Sequence, residues 1–291
     1  MMKVLLSFTG ILIFLLFPNG LFSIESDPYL KDLLKKIEKP PLDIQPRENL
    51  YVRNEIIFGT GHSKAIQENN RAAQLMEKGD YTSAEKILRS ALSHAPLFFP
   101  FHYNLGLCFI HLNELQRALI HLNKAKNIFP EYAKTYLQIG YIYQRLGNES
   151  NAIDSYRKAI ETNRKELTAL VRIGDIYFNR RQYEMAKKYY EAAVSIDHTL
   201  PNGLLGLAKI HFIREKYYKA LILLKTIDTT GEYDKSLHYY YAECSFNLQD
   251  YHTAYEQYSM LLKHRNDKFF LTHSIVLIKH KLDLTKRFID R

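Results

Sequence analysis

Tryptophan is absent from this 291-residue chain, and cysteine occurs only twice. There is no Gly-rich phosphate loop, no HExxH, no GxSxG and no paired CxxC, which removes the nucleotide, metal and acyl-transfer chemistry those spacings support. No Ser or Cys has an evident base beside it. His94, His102, His111 and His121 fall eight to ten residues apart, across helix boundaries, and His273 and His280 lack an acidic or Cys partner. Neither set has metal-ligand spacing, so no metal site, no cofactor and no catalytic residue is expected, and the chain reads as a non-enzyme. Long polar tracts are also missing, and the 46% hydrophobic content excludes a disordered chain.

What is present is a ladder of small residues. Gly140, Ala152 and Ala159 recur 34 residues earlier as Gly106, Ala118 and Ala125, and 34 later as Gly174, Ala186 and Ala193. Ala72, Ala84 and Ala91 extend it on one side, and Ala208 with Ala220, then Ala242 with Ala254, on the other. A fixed period of this size marks a stacked repeat. Within a unit, Tyr136, Ile139, Gly140 and Tyr143, or Leu170, Ile173, Gly174 and Tyr177, share one helical face. A second helix carries Ala152, Tyr156 and Ala159. Gly79-Asp80 and Gly147-Asn148 mark the turns between the two helices, and Pro96 and Pro130 end the first two units. Cys108 and Cys244 occupy the same slot four units apart, too far for the roughly 7 Å that a disulfide allows. They read as buried packing residues.

These units resemble tetratricopeptide repeats, 34-residue helix-turn-helix modules. The resemblance covers six units, 65–98, 99–132, 133–166, 167–200, 201–234 and 235–268. It departs from the family pattern in lacking Trp and in placing Arg164 and His198 where a terminal Pro is usual. It implies an all-α fold, a right-handed α-solenoid in which each unit packs only on its neighbours. Residues 269–291 would form a capping helix whose Lys and Arg residues face water.

The flanks read differently. Lys3 followed by the apolar run Val4–Phe17 and the break Pro18-Asn19-Gly20 has the layout of an export signal over residues 1–23. If uncleaved, Val4–Ile24 is long enough to span a bilayer as an anchor. Residues 24–64 comprise an amphipathic helix over 27–38, with Leu30, Leu33, Leu34 and Ile37 on one face, and a Pro-interrupted irregular tether that could dock back on the solenoid. The formal charge is +9, and from Lys263 onward eight Lys or Arg stand against three Asp.

In the family the first helices line a concave groove that binds partners. The resemblance therefore implies that Tyr103, Asn104, Lys134, Gln138, Tyr141, Arg145, Arg172, Asp175, Asn179, Lys209 and Tyr239 face it. Phe178, Phe212 and Phe246 repeat at the same 34-residue step, as an aromatic stripe for a peptide or as packing between first helices. The expected function is a protein-interaction scaffold of the bacterial envelope, periplasmic or anchored, with a protein or peptide partner. The alternatives are an anionic membrane surface or polyanion met by the basic C-terminus, and a non-catalytic subunit of an envelope enzyme. Export argues against nucleic acid.

Overall fold

The computed structural model describes residues 50–227, 235–263 and 273–290. The leader and the amphipathic helix expected at 27–38 lie outside them. The described residues hold a two-stranded hairpin followed by thirteen helices. The helices come in consecutive pairs: α1 (Lys64–Glu77) with α2 (Tyr81–Ala91), α3 (Phe99–His111) with α4 (Leu115–Ile128), and α5 (Ala133–Arg145) with α6 (Glu149–Thr162). Then follow α7 (Leu167–Asn179) with α8 (Tyr183–Ile196), α9 (Pro201–Ile213) with α10 (Tyr217–Lys225), and α11 (Lys235–Asn247) with α12 (Tyr251–Lys263). The last helix, α13 (Ile275–Ile289), packs on α12 through Ile278 and Leu282. The fold is an all-α helical-repeat solenoid.

The turn inside each pair is built the same way. Gly79, Asn113, Gly147, Arg181, Glu215 and Gln249 all have positive φ, at an unbroken step of 34. After each, the next N–H bonds the carbonyl five residues back, as Asp80 does to Leu75 and Lys216 to His211, both at 2.9 Å. This is the Schellman arrangement, which needs one left-handed residue. Glycine fills that position in only two of the six turns. The residue after it becomes the N-cap of the second helix. Asp80, Asn148 and Asp250 accept from the third residue beyond, whereas Glu114, Gln182 and Lys216 make no such side-chain bond.

The small-residue ladder fixes how closely the paired helices approach. A Cβ added at Gly106 would lie 2.5 Å from Leu122, and at Gly140 2.6 Å from the Tyr156 ring. Tyr190 is gripped from two helices: a Cβ on Gly174 or on Gly206 would each come within 2.6 Å of its ring. Its hydroxyl donates to Asp175 at 2.7 Å, Tyr156 donates to Gln144 at 2.8 Å, and Tyr258 to Glu243 at 2.8 Å. Each large ring thus buries its apolar body while its polar tip is satisfied by the partner helix.

Two readings of the flanks need correction. The segment before α1 is not irregular throughout: β1 (Leu50–Arg53) and β2 (Ile56–Gly59) pair antiparallel, with Arg53 opposite Ile56 and Leu50 opposite Gly59. Asn54 and Glu55 both have positive φ, the geometry of a type I′ turn. The outward side of α13 is not uniformly polar either. Val276 and Leu277 are exposed there, and Lys281 turns inward to pair with Glu243 at 2.5 Å. Cys108 and Cys244 are free and buried, and burial pushes both thiols up to about 12.

Candidate binding groove

The first helix of each pair presents one slot in common, at positions 70, 104, 138, 172, 206 and 240. Its occupants are Asn70, Asn104, Gln138, Arg172, Gly206 and Tyr240. The first three are carboxamides, and the hairpin lies on them. The Gly59 N–H donates to Asn70 Oδ1 at 2.8 Å while Asn70 Nδ2 donates to the Gly59 carbonyl at 2.7 Å. Asn104 does the same for Ile57, accepting its N–H at 3.0 Å and donating to its carbonyl at 2.8 Å. Asn69 adds a second donor to the Ile57 carbonyl at 2.8 Å, and Asn104 also donates to Asn69 Oδ1 at 3.0 Å. Gln138 donates to the Glu55 carboxylate at 3.0 Å. Ile56, Ile57 and Phe58 are buried beneath this grip. The N-terminal part of the face is therefore filled by the chain itself.

Beyond Gln138 the chain has turned away into β1. Here Tyr141 is flanked by two guanidinium groups, Arg145 at 5.7 Å and Arg172 at 6.0 Å from its ring. Arg145 also donates to Asn113 at 2.6 Å. Arg172 is exposed and has no ion-pair partner among the described residues. Asp175, next along the face, is spoken for by the Tyr190 hydroxyl, and burial raises its pKa against that hydrogen bond and the pull of Lys209 and Arg172. Lys209 sits 5.7 Å over the Tyr240 ring.

The remaining groove candidates divide by burial. Tyr103 is fully buried against Phe99 and Tyr132, and Asn104 is spent on the hairpin, so neither can be offered to a partner. Lys134 is paired with buried Glu166 at 3.1 Å. Phe178, Phe212 and Phe246 each lie edge-on to the first residue of the following helix, Tyr183, Tyr217 and Tyr251, with centroids 5.5 to 5.9 Å apart. Phe212 also meets Tyr240 and Phe246 lies under Lys281, so the stripe is partly sunk in the helix contacts. Tyr239 packs on Tyr240 and His273, and Asn179 is exposed at the end of α7. Asn69 and Asn70 were not among the residues the sequence pointed to. The step of 34 from Gln138 through Asn104 to Asn70 is the signal that finds Asn70; nothing comparable marks Asn69.

Family models described as tetratricopeptide repeat match residues 70–133, 133–166 and 167–199. The chain is a tetratricopeptide repeat protein. Among curated relatives, the TPR repeat-containing protein MJ1428 of Methanocaldococcus jannaschii is 22% identical over 229 residues, covering 75% of this chain and 40% of its own. The CTR9 homolog of Arabidopsis thaliana is 24% identical over 172 residues, 55% of this chain and 16% of that protein. The chain thus spans less than half the length of these relatives. Among solved structures, Pseudomonas aeruginosa pilF superposes with a TM-score of 0.63 at 16% identity, over 70% of this chain and 93% of that one. That likeness shows the fold. Tetratricopeptide solenoids serve as protein-protein interaction scaffolds.

Proposed function

We propose that the chain is an exported, non-catalytic scaffold that holds an extended segment of a protein partner on the open part of its concave face, along α5, α7 and α9. The observation that carries this is the change of slot chemistry where the hairpin leaves. Carboxamides give way to Arg172, which with Arg145 brackets the half-buried Tyr141. A segment with acidic side chains would place carboxylates on the guanidiniums and lay apolar surface on the tyrosine ring. Asp175 does not oppose it, because its charge is drawn toward the Tyr190 hydroxyl. Export rests on the sequence of residues 1–23, and membrane and periplasmic fractions probed for the full chain test it directly. For the groove, a full-length bait carrying Arg172→Glu should lose an interactor that survives Lys219→Glu, a reversal at an exposed position of α10. Retention of the interactor by the folded Arg172→Glu bait would remove the groove assignment.

A second reading rests on α13, where Lys279, Lys286 and Arg287 are exposed along with Val276 and Leu277. A cationic face with apolar side chains suits an anionic membrane surface. It requires binding to phosphatidylglycerol vesicles that falls steeply with salt; salt-insensitive binding, or none, dismisses it.

A further inference from the structure

The hairpin is held mainly through its backbone. In a two-residue hairpin, alternate residues send their N–H and C=O groups to the partner strand and away from it. With Arg53 opposite Ile56, residues 56 and 58 face β1, while 57 and 59 face away. The away-facing groups are the ones that Asn104 and Asn70 receive, each by a donor-acceptor pair. The register is regular: residues 59, 57 and 55 meet Asn70, Asn104 and Gln138, so the strand advances two residues per unit and runs opposite to the order of the helices. Such a grip reads an extended backbone and specifies little beyond it. The demands on the occupant's side chains are a carboxylate at the position of Glu55, apolar groups at 56–58 and a small residue at buried Gly59.

Outside the groove, the occupant is joined to α1 by the Arg53–Glu77 ion pair and by a short exposed link. Thr60, Gly61, His62 and Ser63, which join it to α1, are all exposed. Gly61 has φ +137, a conformation that L side chains rarely adopt, and beyond it His62 and Ser63 are tied to the first turn of α1 through Gln67 and Ile66. The whole of β1 apart from Leu50 is exposed.

We propose that Asn69, Asn70, Asn104 and Gln138 form a strand-binding site in its own right, kept filled by β2, and that a partner segment with an acidic residue, three apolar residues and then Gly displaces the hairpin and takes its register. This site lies apart from the open part of the face, and it does not depend on that part binding anything. The resident strand competes from within the chain at an effective concentration in the millimolar range, so a partner must bind tightly or act where the hairpin has been drawn off.

The test uses the full chain and a fluorescent synthetic peptide of residues 49–60. In one variant Ile57→Asp with Phe58→Asp expels the hairpin and leaves every groove residue intact. This variant should retain its helical circular dichroism and bind the peptide at least about tenfold more tightly than the parent, whose own strand competes. Adding Asn70→Ala, at a half-buried position, should cancel most of that gain. In the parent chain, the Ile57 and Gly59 amides should exchange hydrogen about tenfold or more faster than the amides of α3, through local opening. Exchange in step with α3, loss of helix in the expelled variant, or a helical variant that ignores the peptide would each overturn the proposal, because the hairpin would then be fixed structure. A parent dimer dissolved by the peptide would overturn the choice of partner by making a second copy the occupant.

Discussion

Gly174→Ala and Gly140→Ala look equivalent in the sequence and should not behave alike. Alanine in place of glycine inside a helix is ordinarily worth about 0.5–1 kcal/mol of stabilisation, because the unfolded chain has less freedom to lose. Against it stands overpacking, which costs about 1–3 kcal/mol in a well-filled core. Both new methyl groups would start 2.6 Å from a tyrosine ring. The difference is what lies on the ring's other side. Tyr190 cannot retreat from Gly174, since Gly206 of the next unit is already in close contact with it. The slot matching Gly206 beside Tyr156 is Arg172, so the spacing there already admits a Cβ. Ala242 with buried Tyr258 shows that an alanine-tyrosine pair can be housed. Gly174→Ala should therefore lose about 2 kcal/mol net, while Gly140→Ala stays within about 0.5 kcal/mol of the parent. Urea unfolding followed by circular dichroism at unchanged m-value measures both. A Gly174→Ala chain as stable as the parent, or less affected than Gly140→Ala, would refute the two-sided grip on Tyr190.

Other outcomes follow from the turns, the buried histidines and the tyrosine tips. Glu215→Gly with Lys216→Asp relieves a left-handed residue and supplies a missing N-cap, and should raise stability by about 1–2 kcal/mol in the same urea assay. His102 Nε2 must donate to the Pro96 carbonyl at 2.8 Å, which leaves its Nδ1 as acceptor for His121 Nδ1 at 3.3 Å. Burial depresses both, His121 to about 4, so below the ordinary histidine pKa the unfolded chain takes up protons that the folded chain refuses. The urea midpoint should accordingly fall as pH drops from near 6.5 toward 4, and His121→Gln should flatten that fall. Tyr258→Phe removes a hydroxyl from buried Glu243 and should cost about 1–3 kcal/mol, read from the thermal midpoint.

The solenoid was legible because its determinants are local and repeat. Gly140 and Tyr156 are sixteen residues apart, and each unit restates the same contact. The hairpin was not legible. Asn54-Glu55 lacks the glycine that usually signals a type I′ turn, and β2 shows no alternation of polar and apolar residues. What makes it a strand is Asn104, 47 residues further along the chain, reaching back to Ile57. The groove divides on the same ground. Tyr141, Arg145 and Arg172, chosen from the period alone, come together in space, with both guanidiniums near the Tyr141 ring. Tyr103 and Asn104 occupy equally plausible slots but are taken up by Tyr132 and the hairpin, contacts made by elements that a helical period does not reveal.

In the proposed function, the partner lies on the open part of the concave face, around Arg172. A photo-crosslinking residue at position 172 of the full chain, expressed in its own cells, tests it most directly, with position 219 on α10 as the reference. One discrete adduct is expected from 172 that disappears when Arg145→Glu is added, and none of that mass from 219. The same adduct from 219, or an adduct from 172 indifferent to Arg145, would contradict it.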